Sequence, residues 1–183
     1  MLVILAKIKT KMELSNMNNY EYWVNKLELI KHVEGGYYKE VYKNSEAITD
    51  KELKASFSGK RHLATSIYFL LTSDDASNFH RLKSDEIWYY HSGSPLTIYM
   101  ISPGGKLITE QLGLDVEAGE KPQVLVPKDY IFGSAMNHEG YALVGCMVSP
   151  GFEFRDFKLF KRAALLEKYP HYQHIIHKLT TVD

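Results

Sequence analysis

Between Leu63 and Val148 the chain is a series of short apolar runs separated by turn residues, and this rhythm limits what it can fold into. The runs are TSIYFLL, SNFHRL, DEIWYYHSG, PLTIYMIS, KLITEQLGL, QVLVP, YIFGSAM and YALVGCMVS. SDD, KSD, GSP, PGG, EAGEKP, PKD and NHEG stand between them. Short runs with turn signals at this spacing predict an all-β sandwich or barrel.

The flanks have a different period. Tyr22, Trp23, Leu27 and Ile30 recur at helical spacing, which predicts a helix over 19–31 that stops at Gly35–Gly36. HVEGGYYKEVY then resumes as an extended strand, and 44–60 reads as a polar loop. Leu165, Tyr169, Tyr172, Ile176 and Leu179 form a second helical stripe, which Pro170 divides into two short helices. Met12 and Met17 precede the first helix, so 1–18 reads as an extension or a misassigned start, and 19–183 as one domain.

Charge excludes some functions. Lys plus Arg and Asp plus Glu both number 22, so no basic field exists to hold a nucleic-acid backbone. The apolar run Leu2 to Ala6 is too short for a signal peptide or a membrane span. The one cysteine, Cys146, sits in the apolar run YALVGCMV and reads as a buried small residue of a reducing, cytoplasmic compartment.

The richest stretch for chemistry is FHRLKSDEIWYYHSG, residues 79–93. Strand alternation puts His80 and Leu82 on one face, and Glu86, Trp88 and Tyr90 on one face. If the two strands form a hairpin across KSD, these side chains point together into a barrel, where a pocket belongs. His91 is off-parity and faces away.

The spacing from His80 through Glu86 to Gly93 resembles the first metal-binding motif of the cupin superfamily. GEKPQVLVPKDYIF resembles the second, with Pro127 as its proline. The phrases HVEGGYYKEVY, VLVPKDYIFGSA, LVGCMVSPGFEFRDFKL and KYPHYQHIIHKLT extend the resemblance over about residues 20–180, to a subfamily of single-domain cupins related in fold to sugar-nucleotide epimerases. The resemblance implies a double-stranded β-helix, or jelly-roll barrel, with flanking helices, and a homodimer. It also implies His80 and Glu86 as metal ligands. Leu82 stands where a second His ligand belongs, Phe132 where the last one belongs, and Asp129 where glycine is usual.

With two ligand positions lost, a divalent metal is not the expected cofactor. The remaining chemistry is a carboxylate beside an imidazole. Glu86 would raise the His80 pKa and orient its tautomer, making His80 a general base, with Tyr68 or Tyr90 as the acid. Trp88 would form a wall for a ring, and Leu82 and Phe132 an apolar floor. Glu34, beside two glycines, could reach the barrel mouth. The expected function is binding of a small polar, ring-containing metabolite of sugar or nucleotide-sugar type, with epimerase or isomerase chemistry. A divalent-metal dioxygenase or isomerase and a non-catalytic binding module stay open. His171, His174 and His177 read as a solvated helical face.

Overall fold

The computed structural model describes residues 19–49, 52–53 and 57–181. The expected extension at 1–18 lies outside the described residues. The strands are β1 (Ile30–Lys31), β2 (Tyr37–Lys43), β3 (Ala47–Ile48), β4 (Arg61–His62), β5 (Thr65–Thr72), β6 (Ala76–Arg81) and β7 (Asp85–Gly93). They continue as β8 (Leu96–Ile101), β9 (Leu107–Leu112), β10 (Gln123–Val126), β11 (Ile131–Met136), β12 (Tyr141–Ser149) and β13 (Lys158–Leu159). Two sheets make the body, in the orders β1-β2-β5-β12-β7-β10 and β13-β6-β11-β8-β9, and β3 pairs with β4. All strand pairs are antiparallel. The result is a jelly-roll barrel.

Each sheet turns alternate side chains inward. Phe69, Leu71, Leu82, Trp88, Ile98, Met100, Phe132 and Val144 form the interior cluster between the sheets. Phe69 and Trp88 meet edge to face, with ring centroids 5.6 Å apart. Burying side chains of this size contributes about 1.5–3 kcal/mol each, so this cluster dominates cohesion.

Helices cover the outer faces. Helix α1 (Tyr20–Leu27) packs Trp23, Val24 and Leu27 on Leu70, Tyr141 and Leu143 of the six-stranded sheet. Asn19 caps its start, its Oδ1 accepting from the Glu21 amide at 3.0 Å. The helix ends four residues before the end of the expected segment, because Glu28 turns left-handed (φ 55) and β1 begins at Ile30. Gly35–Gly36 is therefore not a helix stop but the turn between β1 and β2.

At the other end, α2 (Arg162–Lys168), a 3-10 turn starting at Pro170, and α3 (Gln173–Lys178) follow the expected interruption. Leu165, Tyr169, Ile176 and Leu179 pack on Phe79, Ile101, Ile131 and Ala135 of the five-stranded sheet. Among the described residues no helix is long and apolar enough to cross a membrane.

Candidate functional site

A cavity of about 310 Å³ opens between the two sheets. The five-stranded sheet supplies His80 and Leu82 from β6. The facing sheet supplies Ile67 and Phe69 from β5, Glu86 and Trp88 from β7, and Cys146 from β12. His32, Glu34 and Tyr38 enter from the β1–β2 turn and its following strand, and Phe152, Phe154 and Phe157 close the side.

The β1–β2 turn is what carries Glu34 inside. Gly35 and Gly36 both adopt positive φ, 109° and 69°. A Cβ on Gly35 would lie 2.0 Å from the Ala76 carbonyl oxygen, and one on Gly36 would lie 2.7 Å from the Phe69 ring. Only glycine permits both the dihedrals and this approach. The turn is tied to β6 by the Asn78 amide and Asn78 Nδ2, which both donate to the Glu34 carbonyl at 2.8 and 2.7 Å.

Glu34 is 6% exposed, deep in the interior rather than at the barrel mouth. Its Oε1 accepts from the Ser77 hydroxyl at 2.8 Å. Its Oε2 lies 3.3 Å from His32 Nδ1 and 3.4 Å from His80 Nε2. One carboxylate thus spans two imidazoles, and sequence reasoning missed His32. The signal was present: His32 and Glu34 are two apart and share a face, next to a glycine pair.

His80 is held on every side. Its Nδ1 lies 2.7 Å from the Asn78 carbonyl oxygen. A carbonyl only accepts, so the Nδ1 proton is fixed there and Nε2 is the atom presented to Glu34. The Phe132 ring centroid lies 4.0 Å from the imidazole, and Phe157 stacks on it at 5.3 Å. At 3.4 Å the Glu34 carboxylate is close enough to hold an N–H on Nε2 once the imidazole takes up a proton. Burial pulls the imidazole below its ordinary value, and the Glu34 charge and the Asn78 carbonyl only partly oppose this. Burial also pushes Glu34 up, but His80, His32 and the Ser77 hydroxyl together bring it below the usual carboxylate range.

Two expectations change here. The carboxylate partner of His80 is Glu34, not Glu86, which makes no hydrogen bond to the imidazole among the described contacts. And the imidazole is lowered, not raised, because desolvation in a closed barrel outweighs one nearby charge.

Glu86 instead faces the cavity beside Trp88 and Cys146. Burial and the Glu34 charge push its carboxyl up to about 8, against the weaker pull of the Trp88 N–H and the Cys146 thiol. The thiol is itself pushed well up by burial and by Glu86. Glu86 Oε2 and Trp88 Nε1 have no hydrogen-bond partner among the described residues. The indole N–H lowers the carboxyl without a hydrogen bond to Oε2 among the described contacts.

The candidate acids are placed elsewhere. Tyr68 lies on the outer face of β5, since Ile67 and Phe69 take the cavity face, and it packs with Trp23 and against His91 at 6.0 Å. Tyr90 shares the face of Trp88 but lies beyond the cavity, where its hydroxyl donates to the Gly93 carbonyl at 2.5 Å. A register shift in the β7–β12 pairing, between Leu143 and Val144, follows immediately. Trp88 and Leu82 line the cavity, whereas Phe132 lies behind His80 and does not.

The donor set does not suit a divalent ion. Leu82 and Phe132 are apolar at two expected ligand positions, and Glu86 makes no hydrogen bond to the imidazole among the described contacts. Among the described residues no three His, Cys, Asp or Glu side chains converge as a metal site. Asp129 adopts φ 66, the left-handed conformation that explains why glycine is usual there.

Comparison with known proteins agrees with this architecture. A family model described as Cupin superfamily (DUF985) matches residues 21–160. An uncharacterised protein of Saccharomyces cerevisiae is 31% identical over 149 residues, 75% of this chain and 73% of that protein. A protein of known structure from Shewanella oneidensis is 53% identical with a TM-score of 0.83, covering 91% of this chain and 100% of that one. A hypothetical protein from Leishmania major is 38% identical with a TM-score of 0.81, covering 89% and 99%. Bacillus subtilis oxalate decarboxylase aligns with 84% of this chain and 37% of its own at a TM-score of 0.51; at 15% identity the likeness is one of fold.

Proposed function

The chain belongs to the cupin superfamily, and from that premise we propose that its barrel binds a small polar, ring-containing metabolite and moves a proton on it. The observation that carries this reading is the Glu34 carboxylate spanning His32 and His80 at the wall of the cavity. A volume of about 310 Å³ lies at the small end of ligand pockets, enough for one ring. Trp88, Phe69 and Tyr38 offer aromatic faces to it.

The chemistry is isomerase-like. His80 Nε2 takes the proton from a carbon beside a carbonyl, and the C–H electron pair moves into the carbon–carbon bond. The carbonyl oxygen takes the proton of Glu86, which is protonated at neutral pH. The product is an enediol. Return of the His80 proton to the neighbouring carbon, and of the hydroxyl proton on the first carbon to Glu86, completes an isomerisation. Glu34 steadies the imidazolium in between. Glu86 here takes the role expected of Tyr68 or Tyr90.

The test is solvent-deuterium incorporation into a panel of aldoses, ketoses and keto-sugar nucleotides. Exchange that disappears in His80→Asn is the expected result. No exchange across the panel overturns the proton-transfer reading.

A further inference from the structure

We infer that Glu86 and Trp88 form a subsite that reads two neighbouring oxygens of an uncharged polyhydroxylated ring, so that the ligand is a neutral sugar or cyclitol rather than a phosphorylated or carboxylated one. This rests on the cavity being the ligand site.

Buried polar atoms in folded proteins almost always have partners, and exceptions need a reason. Among the described residues three buried side-chain polar atoms lack one: Glu86 Oε2, Trp88 Nε1 and Ser134 Oγ. Two of the three belong to residues of the same cavity wall. Glu86 is 6% and Trp88 1% exposed. They stand two apart on β7, so their side chains emerge on one face. That strand is paired on both sides, with β12 and with β10, so the two groups sit on a rigid platform.

The complement of this pair follows from its chemistry. The indole N–H only donates, and a carboxyl oxygen accepts. A ligand that satisfies both must offer an acceptor and a donor side by side. Adjacent hydroxyls, or a hydroxyl beside a carbonyl, do so. An ammonium only donates and leaves the indole unpaired. A phosphate or carboxylate only accepts: it pairs with the indole, but it meets Glu86 only while that carboxyl keeps its proton, and it then stands against the Glu34 charge.

Charge points the same way. The cavity lining carries the carboxyl groups of Glu34, Glu40, Glu86 and Glu153 against one lysine, Lys43. The cation lies on the last residue of β2, among exposed residues, so no cation stands in the lining beside Glu86 and Trp88 to hold an anion. An anionic group entering there would give up its water without replacement.

Titration calorimetry of the full chain with D-glucose, D-xylose and myo-inositol, against D-glucose 6-phosphate and D-gluconate, tests this. A neutral member is expected to bind at least about tenfold tighter than the charged ones, and Trp88→Phe and Glu86→Leu each to weaken it about tenfold, as loss of one hydrogen bond does. Glu86→Gln, which keeps an acceptor and a donor, weakens it less. In a Trp23→Phe background the remaining Trp88 emission shifts on adding the neutral sugar and not the phosphate, a readout that needs no variant of the subsite. Equal or tighter binding of the charged sugars, wild-type affinity in both subsite variants, or no binding by any neutral member overturns the inference. Binding of a charged sugar with intact deuterium exchange sinks this inference alone; a bound neutral sugar without exchange sinks only the proton transfer.

Discussion

Glu34 Oε2 lies 3.4 Å from His80 Nε2, although the two residues are far apart in the chain and meet only because the β1–β2 turn tucks against β6. Glu34→Gln removes the charge that holds the imidazole up. Deuterium exchange should fall on the order of a hundredfold, the usual worth of a positioned proton-transfer partner. The acidic limb of the pH profile should move to lower pH, because the Glu34 charge raises His80. An unmoved profile would show that Glu34 is only structural.

Glu86 makes stability depend on pH. Its folded carboxyl keeps a proton up to about 8, against 4.5 as the ordinary value, because of burial and the Glu34 charge. The folded state therefore binds more protons than the unfolded one between those two values. The Glu86 contribution to stability is fully present below about 4.5, falls as pH rises through that window and is gone above about 8. Glu86→Gln should match wild type near pH 4 and be the more stable by a few kcal/mol at pH 8, measured by urea unfolding. A constant difference across the window contradicts this.

Arg61 is fully buried and grips Asp156 with two bonds, Nε–Oδ2 at 2.5 Å and Nη2–Oδ1 at 2.9 Å, while Nη1 donates to the carbonyls of Ser58, Gly59 and Lys60. Asp156 precedes Phe157, which stacks on His80. Arg61→Met leaves a buried carboxylate with only Lys83 at 3.6 Å, and should cost about 3–5 kcal/mol. Adding Asp156→Leu should recover most of the loss, because no uncompensated charge then remains. A double variant no more stable than the single one would contradict this account.

Gly35→Ala places a methyl on the Ala76 carbonyl and forces φ 109 on an L residue. Backbone strain alone costs about 1–3 kcal/mol, and the turn that carries Glu34 must move. Both a lower melting temperature and lost exchange are expected. Full activity in a stable Gly35→Ala protein would show that the turn does not position the carboxylate.

Leu82 and Phe132 are the positions at which metal donors are missing. Untagged protein should purify with far less than one divalent ion per chain by elemental analysis. A stoichiometric metal in the wild type would overturn the metal-free reading.

The eight central strands were legible because each is a short apolar run bounded by turn residues; DEIWYYHSG and YALVGCMVS match β7 and β12 residue for residue. The short strands β3, β4 and β13 carry too few residues for any period to show. Tyr68 was misplaced because parity must be counted from a known inward neighbour, and Ile67 and Phe69 hold that place. Tyr90 has the right parity, but its depth along the barrel is set by where the cavity lies, which alternation does not encode.

The chain by itself determined the barrel, its covering helices and the apolar substitutions at Leu82 and Phe132, because these are local properties of period, turn chemistry and residue type. Only the tertiary structure decided which carboxylate meets His80. Glu34 stands in a turn and Glu86 on a strand, and nothing local says which of them reaches the imidazole. The distinction comes from a glycine turn pressed onto β6, a contact 41 residues apart in sequence between Gly35 and Ala76, and from the desolvation that this closure imposes on every ionisable group inside.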